Sequence, residues 1–209
     1  MSLDDDIVAV GGELTPKRVL AAYQQGIFPW PHEGYPLLWF CPDPRFVLPL
    51  DQIHISQSLK KTLKHNLYEI KFDTVFHEVI THCARRERPD QDGTWINDDI
   101  VSVYTQLHEQ GYAHSVEAFE EDQLVGGLYG ISLGGIFFGE SMFALKANAS
   151  KIAFVVLLEQ LKKWDFDLVD CQSETEHLER FGAVHWPREQ FLKALQKSLK
   201  KATRRGKWL

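Results

Sequence analysis

The spacing of hydrophobic and polar residues first divides the chain into helical stretches. Between 98 and 110, Ile100, Val103 and Leu107 fall on one face of a helix, and polar residues fill the other face. Apolar periodicity and helix start signals predict further helices at 56–65, 73–86, 150–164, 174–181 and 188–200.

From residue 113 the period changes to two, which is typical of β-strands. The segment A-H-S-V-E-A-F alternates, E-E-D-Q forms a turn, and L-V-G-G-L-Y-G-I-S makes a second strand. A second turn, L-G-G, leads into I-F-F-G-E-S-M-F, so these three strands predict an antiparallel meander. Further strands are predicted at 68–72 and 167–172.

The first part of the chain has a different character. Thr15 is a good N-cap, Pro16 suits the first helical turn, and Gly26 predicts the end of that helix. Six prolines then occur between residues 29 and 49, which excludes long regular elements there. We therefore predict a small proline- and aromatic-rich subdomain over 1–45 and a second domain over 46–209.

The predicted order in the second domain is helix, helix, three-stranded meander, long helix and strand. This order resembles the core of the GNAT-like N-acyltransferases, so the expected fold class is α+β with a mixed, mainly antiparallel sheet. Because many functions share one fold, the resemblance indicates acyl transfer only as a hypothesis.

The net charge of −6 argues against a protein that binds nucleic acid over its whole surface. Positive charge is local, and Lys60, Lys61 and Lys64 form one cluster on a predicted helix. An apolar stripe at helical spacing would dock that helix and leave the lysines outward; it consists of Ile55, Leu59 and Leu63. The alternative is a merely solvated face. The basic tail K-K-A-T-R-R-G-K-W-L is interpreted as a frayed terminus.

The remaining composition indicates a soluble cytoplasmic protein. Hydrophobic residues make up 44% and charged residues 25%, and no apolar run approaches the length of a membrane span. The acidic start M-S-L-D-D-D does not resemble a signal peptide. The three cysteines are odd in number and scattered, as expected for free thiols in a reducing compartment.

Two familiar catalytic patterns fail when their structural context is considered. G-I-S-L-G places Ser132 in a serine-hydrolase pattern, but that pattern must join a strand to a helix, and here a strand follows. In H-E-V-I-T-H, His77 and His82 are five residues apart, whereas a zinc-binding helix needs a spacing of four. We therefore predict no metal site.

Glu140 lies in the apolar stretch G-G-I-F-F-G-E-S-M-F, and an unpaired buried carboxylate is costly. Either a nearby Arg or Lys pairs with it, or the hairpin exposes it to water, or it lines an apolar pocket that holds a positive group. Asp170 and Gln172 alternate along a predicted strand and should face the same side. They could orient an attacking amine; alternatively, Asp170 caps a helix or pairs with an Arg.

The fold suggests acetyl-coenzyme A as a possible acyl donor, but the sequence argues against it. Acyltransferases of this kind bind pyrophosphate on a glycine-rich loop before the helix that follows the meander. At that place this chain has K-A-N-A-S-K-I-A, which contains no glycine. We therefore expect another acyl carrier.

Ten motifs in order resemble the bacterial leucyl/phenylalanyl-tRNA–protein transferases. They are G-G-E-L-T-P, Y-Q-Q-G-I-F-P-W, W-F-C-P-D-P-R, H-I-S-Q-S-L-K, G-T-W-I, L-H-E-Q-G-Y-A-H-S-V-E, L-V-G-G-L-Y-G, F-F-G-E-S-M-F, N-A-S-K and D-C-Q. The family resemblance implies transfer of leucine or phenylalanine from tRNA to proteins that begin with Arg or Lys, which marks them for degradation. It implies no cofactor, no metal and no membrane, and we expect a monomer.

The resemblance also implies roles for individual residues. Asp170 and Gln172, in D-C-Q, match the proposed catalytic pair. The other matched positions are Glu140, Phe137, Met142, Trp30 and Trp95 for substrate, and Lys60, Lys61 and Lys64 for tRNA. Gln57 stands where that helix often has Arg. Two rival functions stay open, an acetyl-coenzyme A-dependent N-acetyltransferase and a non-catalytic tRNA- or peptide-binding module.

Overall fold

A computed structural model describes residues 6–85 and 95–208. Near the amino terminus, three short strands form a small antiparallel sheet in the order β1-β3-β2. Their bounds are Ile7–Val10 (β1), Phe28–Pro29 (β2) and Leu38–Phe40 (β3). Helix α1 (Pro16–Tyr23) lies between β1 and β2, and Thr15 Oγ accepts a hydrogen bond from the Arg18 N–H, as the N-cap prediction requires.

The large sheet has seven strands in the order β10-β4-β9-β8-β7-β6-β5. Their bounds are Arg45–Pro49 (β4), Glu69–Phe72 (β5), Ala113–Glu120 (β6), Gln123–Leu133 (β7), Ile136–Ala144 (β8), Leu168–Gln172 (β9) and Val184–Trp186 (β10). Every neighbouring pair is antiparallel except β8 and β9, which are parallel. The predicted meander and the predicted fold class, α+β with a mixed, mainly antiparallel sheet, are confirmed.

The helices also follow the predicted order. Their bounds are Gln57–Lys64 (α2), Phe76–Ala84 (α3), Asp98–Glu109 (α4), Ala149–Lys163 (α5), Glu176–Glu179 (α6) and Arg188–Ser198 (α7). The predicted end of α3 at 86 and most of the polar loop after it lie outside the described residues. Within the described ranges, no helix combines the length and apolar content needed to cross a bilayer.

The sequence did not predict strands β4 and β10. All five residues of β4 are buried, so it has no alternation of exposed and buried positions, and prolines stand at its borders. β10 has only three residues and pairs with the edge of β4 that faces away from β9. Together they extend the sheet beyond β9 and place Arg45 beside Asp170.

Two apolar clusters cover the two faces of the sheet. One contains residues of α3, α4 and the small N-terminal sheet, and the other is built mainly around α5. The start of α5 lies very close to β7, because a Cβ at Gly126 would stand 2.6 Å from the Ala149 Cβ. The N-terminal residues Tyr23 and Phe40 belong to the same apolar cluster as Tyr104, so this cluster does not separate the two predicted domains. The division of the chain at residue 45 stays a prediction.

Helix α2 docks as its pattern predicted. Leu59 is buried, and Ile55 and Leu63 pack against the cluster around α5. The three lysines of α2, Lys60, Lys61 and Lys64, are exposed. The organised basic face is therefore confirmed as a structural feature, while its ligand stays a prediction.

The prediction of a frayed C-terminal tail is wrong. Trp208 is only 2% exposed and stacks on the His114 ring, with ring centroids 3.8 Å apart. Its backbone N–H donates to Asp73 Oδ2 at 2.7 Å, and Thr203 Oγ accepts from the Gly134 N–H at 2.9 Å. The basic residues lie on the outside of this tail, and the tryptophan fixes it to the core.

Candidate active site

A cavity opens where strands β8 and β9 separate. Their parallel pairing is limited to Ile136–Phe138 and Leu168–Asp170. Beyond these residues the strands diverge, and the next residues of both line a cavity of about 710 Å³. The first turn of α5 and the start of α6 close its other sides. The strand–helix–strand connection therefore produces a cleft at the point where strand pairing stops.

Most of the predicted substrate and catalytic residues meet in this cavity. The lining includes Trp30, Trp95, Phe137, Glu140, Met142 and Gln172. These residues come from four distant parts of the sequence, so the structure supports a single site. Asp170 and the three lysines of α2 are not among the residues that line the cavity.

Glu140 is held by neutral polar groups. The Tyr23 hydroxyl donates to Glu140 Oε1 at 2.7 Å, and Gln172 Nε2 donates to the same oxygen at 3.2 Å. The Tyr104 hydroxyl lies 3.4 Å from Oε2 and 2.7 Å from the Tyr23 hydroxyl. Among the described residues, none of the ion pairs involves Glu140. The alternative of an Arg or Lys partner therefore has no support within residues 6–85 and 95–208.

Burial raises the pKa of Glu140 to about 8. The hydrogen bonds from Tyr23, Gln172 and Tyr104 favour the charged carboxylate, but they do not offset the loss of water, and the nearby Asp170 charge adds to the rise. Glu140 is thus largely protonated at neutral pH in the free protein. A cation entering the cavity would favour its ionised form.

This raised pKa makes stability depend on pH. Between pH 4.5 and about 8 the unfolded chain loses the Glu140 proton while the folded protein keeps it, so stability falls as pH rises through this window. We expect Glu140→Gln to remove this decline, which has a limiting slope of about 1.4 kcal/mol per pH unit. Thermal melts of both proteins across the window would measure it. A melting-temperature difference that does not change with pH would contradict the assignment.

Asp170 forms a fully buried ion pair with Arg45. Arg45 Nε donates to Asp170 Oδ1 at 2.8 Å, and Arg45 Nη2 donates to Oδ2 at 2.6 Å. The guanidinium also lies over the rings of Phe28 and Phe191, 4.8 and 4.6 Å from their centroids. The alternative in which Asp170 pairs with an Arg describes the observed geometry. No oxygen of this carboxylate lines the cavity.

Asp170 also fixes the backbone at Gln172. The Gln172 N–H donates to Asp170 Oδ1 at 3.0 Å, and Gln172 has φ of +62°, a left-handed conformation that is unusual for a residue with a side chain. This hydrogen bond stabilises the turn at the end of β9. As a result, Gln172 directs its amide into the cavity and reaches Glu140.

The two tryptophans of the cavity wall pack against different neighbours. Trp30 is half-buried, and its ring centroid lies 5.4 Å from those of both Phe40 and His32. Trp95 is half-buried and packs against the cluster that contains α4. Both rings therefore contribute to the core and to the cavity wall, so the core and substrate interpretations are compatible.

Sequence reasoning missed Tyr23, Tyr104 and Arg45. The two tyrosines occupy apolar helical faces, where nothing in the local pattern distinguishes a hydroxyl that contacts a carboxylate from a core ring. Arg45 follows a proline in an unpredicted strand and is separated from Asp170 by 125 positions.

Among the described residues, no three His, Cys, Asp or Glu side chains converge as a metal site.

Comparison with known proteins decides the family. A model of the leucyl/phenylalanyl-tRNA protein transferase family matches residues 47–196, and a model of the N-terminal domain of that family matches 12–43. The chain belongs to this family. It is therefore an aminoacyltransferase, and the resemblance noted in the sequence is confirmed.

Individual relatives agree with this assignment. A leucyl/phenylalanyl-tRNA–protein transferase of Myxococcus xanthus is 58% identical over 97% of this chain and 86% of its own length. One from Stutzerimonas stutzeri is 53% identical over 90% of this chain and 83% of its own. Among solved structures, an aminoglycoside acetyltransferase from an uncultured soil metagenomic sample matches with a TM-score of 0.39 and 13% identity, covering 63% of this chain and 89% of that one.

Proposed function

We propose that this aminoacyltransferase moves leucine or phenylalanine from tRNA to the α-amino group of proteins that begin with Arg or Lys, which marks them for degradation. The observation that carries the proposal is the cavity, where apolar side chains such as Phe137 and Met142 lie beside a half-buried carboxylate and an amide. An apolar amino-acid side chain and a reacting amine require this combination of surfaces.

The donor side chain would fill the part of the cavity bordered by Phe137 and Met142. Phe137 is fully buried, so its ring is a fixed wall, whereas Met142 has a flexible side chain that can adapt to Leu or Phe. Removing one methylene from a ligand in such a pocket costs about 1–3 kcal/mol. Valine should therefore be a poorer donor but still a measurable one.

The terminal adenosine of the tRNA would stack on the tryptophans. Trp30 and Trp95 both line the cavity and are packed from behind, so their faces are held in place. Base–aromatic stacking contributes about 1–3 kcal/mol per base. The two rings would thereby position the ester bond near Glu140 and Gln172.

Glu140 would hold the amino group of the donor amino acid. Its position beside Tyr23 and Gln172 provides an acceptor at the edge of an apolar space. An ammonium group favours the ionised carboxylate and so repays part of the free energy of its desolvation. Glu140 would therefore release its proton when the charged donor binds.

The acceptor amine would attack the ester carbonyl with help from Gln172. The amine nitrogen forms the new amide bond, the ester C–O bond breaks, and the tRNA hydroxyl leaves with the proton lost by the amine. The Gln172 carbonyl oxygen can accept an N–H of the amine and orient it, and such positioning can supply about 7–11 kcal/mol of the barrier. Asp170 acts as a positioning residue here, because Arg45 occupies both of its oxygens.

A transfer assay tests the proposal. The protein would be mixed with tRNA charged with radiolabelled leucine and with a peptide that begins with Arg, or the same peptide beginning with Ala. We expect label on the Arg peptide alone. Transfer from labelled acetyl-coenzyme A instead would favour the N-acetyltransferase, and binding without transfer would favour a tRNA- or peptide-binding module.

The exposed lysines of α2 would contact tRNA phosphates. We expect the triple variant Lys60→Glu, Lys61→Glu, Lys64→Glu to weaken binding of every tRNA, because each lost phosphate contact removes about 0.9 from the slope of log affinity against log salt on a duplex. Titration of labelled tRNA at several salt concentrations would measure the slope. An unchanged slope would mean that the lysines form only a solvated face.

The setting of this reaction is proposed on the same basis. Charged tRNA is a cytoplasmic substrate, and the three scattered cysteines, all buried, are compatible with a reducing compartment. We propose a cytoplasmic monomer, which sedimentation at assay concentrations would test directly. A dimer under those conditions would contradict the second part of this assignment.

A further inference from the structure

A second cavity of about 450 Å³ lies beside the first. One wall is formed by α2, through Ser56, Ser58, Leu59 and Thr62. The rest of its lining includes residues that also line the first cavity, namely Asn148, Lys151, His177 and Arg180. This second cavity, which we call the linking cleft, therefore borders both the proposed active site and the helix that carries Lys60, Lys61 and Lys64.

The linking cleft has a cationic lining. Lys151 and Arg180 border it, and none of the described residues in its lining is acidic. The first cavity shares these two cations but also has Glu140, Glu174 and Glu176 in its wall. Acidic side chains therefore line the first cavity together with these cations, whereas the described lining of the cleft and the exposed face of α2 carry cations alone.

Both cations are accessible to a ligand. Lys151 is half-buried on the first turn of α5, and none of the ion pairs among the described residues involves it. Arg180 pairs with Glu176, but that pair lies on the surface between residues four apart, with side chains 70% and 77% exposed. Exposed pairs of this kind are weak, so a phosphate can replace the carboxylate.

The hydroxyls of the cleft are arranged on the facing side. Ser56 Oγ caps α2 by accepting from the Leu59 N–H at 3.3 Å, and it also lies 3.1 Å from Ser58 Oγ. Thr62 Oγ donates to the Ser58 carbonyl at 3.1 Å. The cleft thus offers small polar groups on one wall and cations on the other, and a sugar–phosphate strand matches both.

We propose that the linking cleft binds the phosphodiester groups of the single-stranded 3′ end of the tRNA, with Lys151 and Arg180 as the contacting cations. The inference rests on the proposed function, in which the terminal adenosine occupies the first cavity and the duplex contacts α2. The nucleotides between these two points carry phosphates that must pass along the surface joining them. The linking cleft shares lining residues with the first cavity and is bordered by α2.

The experiment compares donors with and without those phosphates. Leucine would be supplied as the ester of adenosine, or as the ester of the trinucleotide CCA, which adds phosphodiesters but no duplex. The variant is Lys151→Gln, and its matched control is Lys163→Gln, an exposed lysine at the other end of α5. Transfer to the Arg peptide is measured as kcat/KM at several salt concentrations.

Loss of a charge-assisted contact predicts about a tenfold lower kcat/KM for the trinucleotide donor in Lys151→Gln. The adenosine donor carries no phosphodiester, so its kcat/KM should fall much less, even though Lys151 also borders the first cavity. The slope of log KM against log salt for the trinucleotide donor should decrease by about 0.7, the value for one phosphate on a single strand. Lys151→Arg should restore both quantities, and Lys163→Gln should change neither. Arg180→Gln should repeat the result of Lys151→Gln.

Equal losses with both donors, or an unchanged salt slope, would overturn the proposal, because Lys151 would then act on the first cavity or on folding. A failure of the proposed function appears differently. In that case the unaltered protein would not label the Arg peptide from charged tRNA, whatever the state of Lys151.

Discussion

Asp170→Ala is expected to lower turnover by about 10²-fold, because Asp170 positions the group that orients the reacting amine. The carboxylate accepts the Gln172 N–H and so fixes a left-handed residue whose amide reaches Glu140. Without that acceptor the amide loses its position, and displacements of about 1 Å at such sites cost about 10²-fold. Single-turnover transfer from charged tRNA would measure the loss.

The same variant also leaves Arg45 buried without a partner. Arg45 is only 1% exposed, and breaking one side of a buried pair costs about 3–5 kcal/mol. The double variant Arg45→Met, Asp170→Leu separates the two effects, because an apolar replacement of the whole pair is often neutral for stability. We expect it to recover the unfolding free energy but not the turnover. Recovery of turnover would show that Asp170 has only a structural role.

Trp208→Ala is expected to destabilise the protein by about 3–5 kcal/mol, the usual cost of truncating a buried aromatic side chain. The indole contacts four rings, at centroid distances of 3.8 Å for His114, 4.9 Å for Trp164, 5.9 Å for Phe137 and 6.2 Å for Phe166. For a chain of this length the melting temperature should fall by about 10 °C.

The neighbouring residue supplies the control for this prediction. Lys207 is exposed, so Lys207→Ala should leave the melting temperature nearly unchanged. Because Trp208 packs against Phe137, the alanine variant should also discriminate less well between leucine and phenylalanine below its melting temperature. A stable Trp208→Ala protein would contradict the description of the tail as part of the core.

The elements with strong local patterns were predictable from the sequence. α2 is an example, because Leu59 faces the core while Lys60 and Lys61 stay in water, as the helical period requires. The meander was predictable for the same reason, since its turns separate stretches with a period of two. Six cavity residues could be named because each lies in a motif of the family.

The arrangement around the carboxylates was not predictable, for physical reasons. Tyr23 reaches Glu140 across 117 positions, and Arg45 reaches Asp170 across 125. Such contacts depend on how strands are ordered in the sheet, and no local period encodes that order. The prediction of a frayed C-terminal tail failed for a related reason. The many basic residues of the tail predicted that it would lie in solvent. Instead, the contacts of Trp208 with Asp73 and His114 determine where the tail lies.

The position of β4 has a consequence for partly made chains. This apolar strand lies between β9 and β10, which follow it by more than a hundred positions. Until those strands exist, both of its edges present unpaired backbone groups, and such edges template aggregation. We expect fragments that stop before residue 168 to aggregate, and a peptide copy of β9 supplied in trans to keep them soluble. During synthesis, strand β4 is therefore expected to need shielding from aggregation until β9 and β10 are available to pair with it.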